Sequence, residues 1–170
     1  MFVEFDQMPS HARAWIYISD RQITPRDAAL IDGALRTFTS EWAAHGVSLR
    51  SSYKISEDRF VLLAVDEQAY GASGCSIDTS VNAMKRLGAE TGINFFDRSR
   101  VPFFLENQVV LLQLGELKEK YGSGVWNGHT LTFNILAATL GEIRENWIVP
   151  AEKSWLKRYM EPLPQDSQAG

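Results

Sequence analysis

The apolar positions of this chain change period several times, and each change marks an element. Ala14-Trp15-Ile16-Tyr17-Ile18 is a short β-prone run closed by Ser19-Asp20, and predicts a first strand. Thr24-Pro25-Arg26-Asp27 then carries three helix-start signals. Thr24 can cap, Pro25 suits the first helical position, and Asp27 stands where a capping box takes an acid. Ile31, Ala34, Leu35, Phe38 and Trp42 follow helical spacing, and Gly46 is expected to end that helix as a left-handed cap. Ser51 to Ile55 and Arg59 to Val65 read as two strands joined at Ser56-Glu57-Asp58, which is hairpin spacing. After the small-residue loop Tyr70-Gly71-Ala72-Ser73-Gly74, a second helix is predicted from Cys75-Ser76 to Gly92, with Ile77, Val81, Met84 and Leu87 on one face. Gln108 to Gln113 reads as a further strand.

The order β-α-β-β-α-β is the ferredoxin-like, split βαβ arrangement, so the expected fold is α+β with that core from about residue 12 to 114. Beyond Leu114 the periodicity weakens into a mixed C-terminal extension, about 115–161. It offers a short helix at Glu116 to Tyr121, a strand at Thr130 to Phe133 and a helix opening at Thr139-Leu140-Gly141-Glu142. A last helix runs through Trp155 and Tyr159 after the break at Pro150, and residues 162–170 are expected to fray. A chain of 170 residues fits one such domain with its appendage.

Topology turns this order into an expectation about chemistry. A right-handed crossover makes the first two strands parallel, and the hairpin sets the third antiparallel to both. The start of strand one, the end of helix one, the end of strand three and the start of helix two then share one sheet edge. His11, His45, Asp66, Glu67, Cys75, Ser76 and Asp78 are the residues expected there.

Charge narrows the classes of partner. The formal net charge is −4 and the sequence pI about 5.4, with Lys and Arg scattered and outnumbered. Phosphate neutralisation supplies most nucleic-acid affinity, so nucleic acid is not an expected partner, nor is an anionic membrane surface. No apolar run approaches the roughly 20 residues of a membrane span. The N-terminus has no positive region followed by an apolar stretch, and there is a single cysteine, so a cytoplasmic location is expected.

Cys75 is the sharpest candidate. A thiol in the first turn of a helix feels the positive end of the backbone dipole, which favours thiolate. His45 as base, with Asp66 or Glu67 orienting it, would complete a cysteine-nucleophile triad. Against this, a free cysteine most often simply packs. Ser73, Gly74 and Ser76 in the loop entering the helix could cradle an anion on backbone amides, with Asp78 and His11 beside them. A metal centre from His11, His45, Asp66, Glu67 and Asp78 lacks any HExxH-type spacing, so no metal or other cofactor is expected. Trp147, Trp155 and Tyr159 could form a homo-oligomer face or pin the extension.

Trp42-Ala43-Ala44-His45-Gly46, Arg59-Phe60 leading to Val65-Asp66-Glu67, Ser73-Gly74-Cys75-Ser76-Ile77-Asp78 and Phe96-Asp97-Arg98 carry a resemblance. Over about the first two-thirds of the chain they resemble a group of small uncharacterised bacterial proteins labelled "ABC transporter ATPase". That label implies ATP hydrolysis, yet the chain has neither a GxxxxGK[ST] loop nor an LSGGQ-like signature. The resemblance supplies kinship without an activity. Two readings follow: a non-catalytic module that binds a small ligand or a protein at the His45/Asp66/Cys75 edge or through the aromatic extension, or a cysteine-dependent enzyme built on Cys75 and His45.

Overall fold

β1 (Arg13–Ile18) leads into α1 (Pro25–Glu41), whose start forms as its residues require. Thr24 Oγ1 accepts the Asp27 N–H and the Asp27 carboxylate accepts the Thr24 N–H, a complete capping box with Pro25 at the first position. Two short strands follow, β2 (Ala43–Ala44) and β3 (Val47–Ser48), and then the hairpin of β4 (Arg50–Ser56) and β5 (Phe60–Asp66). α2 (Gly74–Thr91) ends at Gly92, which has a φ of 73° and donates its N–H to the Gly88 carbonyl at 2.8 Å. The structure, a computed structural model, describes residues 1–68 and 74–161, leaving out the side chain of Cys75.

The chain divides into two units. The first comprises Met1–Asp97 and Ile135–Asn146, the second Arg98–Asn134 and the residues from Trp147 onward. In the first unit the sheet order is β1-β5-β4, with β5 antiparallel to both neighbours. β1 and β4 are therefore parallel, as the crossover rule requires. Phe60 to Val65 are all buried, which is what a continuous apolar run means when both sheet faces are covered. One face carries the core of Ile31, Leu35, Trp42, Val61, Leu63, Val65, Met84 and Leu87.

The strand expected to complete a ferredoxin-like sheet is present but lies in the second unit. There β6 (Arg100–Leu105) and β7 (Gln108–Gln113) form a hairpin around Glu106-Asn107, both at positive φ (50° and 61°). A partner two residues away closes with far less entropy cost than distant β1, so the local pairing takes this strand. The three-stranded sheet instead gains backbone bonds from the lead-in to α4 (Leu140–Asn146). Ala14 N–H reaches the Ala138 carbonyl at 2.9 Å, and Leu140 N–H reaches the Ala12 carbonyl at 3.0 Å. The fold is α+β, with antiparallel sheets richer in arrangement than a single split βαβ core.

The second unit continues through α3 (Leu117–Gly122), β8 (Leu131–Phe133) and β9 (Ile148–Pro150), with sheet order β7-β6-β8-β9. Its core is Val101, Phe103, Leu117, Trp126, Ala151 and Leu156. Trp155 and Tyr159 meet edge-on at 5.9 Å and pack against this core, and Trp147 lies edge-on to Phe133 at 5.3 Å. All three rings of the aromatic extension thus have neighbours inside the second unit. No described helix is long and apolar enough to cross a membrane.

Candidate functional site

Asp66 closes β5, the central strand of the first sheet, so the starts of β1 and β4 flank it. The hairpin register sets Arg50 directly opposite Asp66 and Arg13 opposite Val65. His11, just ahead of β1, brings Nε2 to 3.1 Å from Asp66 Oδ1, and Arg50 Nη1 stands 3.4 Å from Oδ2. The Gln68 N–H also donates to Oδ1, at 3.1 Å. Beside this group Arg13 Nη1 lies 3.5 Å from Glu67 Oε1, with its guanidinium 4.8 Å above the Trp15 ring.

The Asp66 side chain is only 9% exposed, while His11 and Arg50 are nearly half exposed. Burial pushes the Asp66 carboxyl up. The Gln68 N–H, His11 and Arg50 outweigh it, and together they hold the group below the usual carboxylate range. A fixed, acceptor-only anion thus backs two exposed nitrogen donors, and a second arginine with its own carboxylate stands next to them. Such an arrangement holds polar groups in a fixed orientation at the surface.

A folded-state pKa below the unfolded one contributes stability above about pH 4, which is lost as pH falls. Asp66→Asn is therefore expected to cost about 1 kcal/mol at pH 7, because its partners are solvated. The difference from the parent should shrink as pH is lowered below about 4, as read by urea unfolding at pH 7 and at falling pH.

His45 is not a helix cap. α1 stops at Glu41, and Trp42 leaves the helix with extended backbone (φ −64°, ψ 124°). The Trp42 indole is buried and donates Nε1–H to the Ser76 carbonyl at 3.0 Å, which draws the chain out of the helix one turn before Gly46. His45 and Gly46, at φ 51° and 76°, are instead the two central residues of the β2–β3 hairpin, with Ala44 opposite Val47. The His45 side chain is exposed, without a hydrogen bond or ion pair to a described residue. Asp66 is engaged by His11 and Arg50, so the link from Asp66 to His45 that a triad needs is not made.

Cys75 falls in the first turn of α2, as its sequence position suggested. Its side chain, and the whole of Ser73, lie outside the described residues; of Gly74 the backbone alone is described, as the first residue of α2. Ser76 is buried, its carbonyl taken by Trp42, and Asp78 is exposed. Glu67 pairs with Arg13 and is not in the Asp66 cluster. Among the described residues no three His, Cys, Asp or Glu side chains gather closely enough to hold a metal ion. The edge thus joins His11 to Asp66 and sets Glu67 alongside, but it does not join His45 to them.

Arg13 and Arg50 were not singled out by sequence. Arg50 could have been found from the turn alone, since a hairpin centred on Asp58 places residue 50 against residue 66. Compared with known proteins, the chain matches no family model, no curated protein and no solved structure.

Proposed function

We propose that this chain is a non-catalytic module that binds a small ligand or a protein partner at the edge formed by His11, Arg13, Arg50, Asp66 and Glu67. The observation that carries the reading is the Asp66 carboxylate, nearly buried and shared between His11 and Arg50 while both donors stay open to solvent. The carboxylate orients polar heads at a surface, and His45, the base the enzyme reading requires, is not joined to it. The ferredoxin-like reading belongs here in a reduced form: the first unit keeps the β-α-β-β-α order and stops short of the last strand. That order hosts many unrelated functions and cannot choose among them. A cytoplasmic setting, with one cysteine and no disulfide partner, completes the proposal.

The test is the alkylation rate of Cys75 in the folded protein from pH 4 to 10. The binding reading expects rates that follow ordinary cysteine ionisation, near pH 8.5 or above, and that His45→Ala leaves unmoved. A thiol that reacts fast well below that pH, and slows in His45→Ala, would overturn it in favour of a cysteine nucleophile with His45 as base.

A further inference from the structure

Strand edges are exposed templates for pairing, and proteins commonly protect them. In the first unit, Val3 N–H bonds the Ser51 carbonyl and Ser51 N–H the Met1 carbonyl, which covers the start of the β4 edge. The rest of β4 carries the exposed Lys54. The β1 edge opens with Arg13 and is bonded at its start by Ala138. In the second unit, β9 is only three residues long and ends in Pro150. β7 has none of these devices. It is the terminal strand of its sheet, six residues long, and reads Gln108-Val109-Val110-Leu111-Leu112-Gln113, without charge or proline.

The hairpin geometry says which of its backbone groups are open. A two-residue loop is closed by a hydrogen-bonded pair, here Leu105 with Gln108. Hydrogen-bonded pairs alternate along an antiparallel ladder, so Gln108, Val110 and Leu112 bond to β6. Val109 and Leu111 turn their N–H and C=O groups outward and Gln113 its N–H, where they meet no described backbone partner, while the Gln113 C=O opens the 3-10 turn Leu114–Glu116. Val109 to Leu112 are all partly exposed, so the open edge is apolar on both faces.

We infer that β7 is a self-association edge, through which two copies of this chain pair antiparallel about a two-fold axis at Leu111 and join their four-stranded sheets into one. The strand is complementary to itself in the register that opposes outward residues. Leu111 meets the other copy's Leu111, and Val109 meets the other copy's Gln113, so the open N–H and C=O of Leu111 and the open N–H of Gln113 find partners. On the remaining positions Val110 meets the other copy's Leu112, apolar against apolar. An unlike partner would find no charge here to select it, whereas a second copy matches Val109 to Gln113.

Sedimentation equilibrium over a wide concentration range tests this, with amide hydrogen exchange on the same samples. Leu111 lies opposite Pro102 at a non-hydrogen-bonded position, so Leu111→Pro removes only an outward N–H and leaves the ladder to β6 intact. Leu111→Lys would set two ammonium groups against each other on the axis. The parent protein should approach twice the chain mass as concentration rises, with the Leu111 and Gln113 amides gaining protection in step. Both variants should weaken the dimer at least about tenfold while keeping the parent's far-ultraviolet circular dichroism. A parent that stays at the chain mass with those amides exchanging freely, whatever else binds them, overturns the inference. So does a dimer that survives both variants. If neither variant folds, the concentration dependence of exchange at the two amides in the parent decides alone.

Discussion

Trp126→Ala is expected to unfold the second unit. The indole is 1% exposed and lies between Phe103 and Tyr121, with ring centroids at 5.3 and 5.1 Å. Its Nε1–H donates to the Leu117 carbonyl at 2.9 Å, which holds the start of α3 against the sheet. Truncating a buried tryptophan costs about 3–5 kcal/mol. The lost indole hydrogen bond adds about 1 kcal/mol, the Leu117 carbonyl keeping its place in the α3 ladder. The sum reaches the lower end of an ordinary domain's whole stability, typically about 5–15 kcal/mol. Hydrogen exchange should show the β6 and β8 amides losing their protection. Trp126→Phe, which keeps most of the volume and loses only the hydrogen bond, should fold with a lower midpoint; if it unfolds as completely as the alanine variant, packing is not what the indole supplies.

The second large effect is expected at Asp27. Its carboxylate accepts both guanidinium nitrogens of Arg21, at 2.5 and 3.1 Å, and takes the N–H and hydroxyl of Thr24 at 2.9 and 2.8 Å. Arg21 also donates to the Thr91 carbonyl at 2.6 Å, so one buried acid ties the turn after β1, the start of α1 and the end of α2. A lost cap costs about 1 kcal/mol and a lost charge-assisted bond about 1.5–3 kcal/mol, so Asp27→Ala should destabilise by roughly 3 kcal/mol. Arg21, and after it Thr24, hold the carboxyl far below the usual range. A depressed folded-state pKa means that the stabilisation is complete above about pH 4 and declines as pH falls further. Urea midpoints of the parent and Asp27→Ala should therefore draw closer, without meeting, as pH falls from 4 to 2. A gap that stays constant over that range would show that the carboxylate's charge contributes nothing.

The same two regions show what a sequence can and cannot convey. Thr24, Pro25 and Asp27 announce α1 because capping is local chemistry, and Gly92 announces the end of α2 for the same reason. Thr139 and Glu142 likewise exchange cap bonds at the start of α4, as their spacing suggested. Gly46 misled because a left-handed glycine serves a helix end and a two-residue hairpin equally well, and only the buried Trp42 decides between them. β6 was missed because Pro102 interrupts a strand-like run. The proline is tolerated since its missing N–H faces away from β7, while its carbonyl accepts the Thr132 hydroxyl at 2.8 Å. Of the candidate site, the meeting of His11 with Asp66 follows from strand order alone. The separation of His45 from them depended on where the helix stopped, and a one-turn error there removed the expected link from Asp66 to His45.

The two units are interleaved along the chain rather than laid end to end. The first is interrupted after Asp97 and resumes at Ile135, and the second is interrupted after Asn134 and resumes at Trp147. During synthesis the ribosome must therefore deliver Ala138 and Leu140 before the first sheet gains its last backbone bonds, with most of the second unit already made. The first unit cannot finish before Asn146 is made, and the second resumes only at Trp147. A nascent chain halted near residue 97 would hold an unfinished sheet, a natural client for a chaperone.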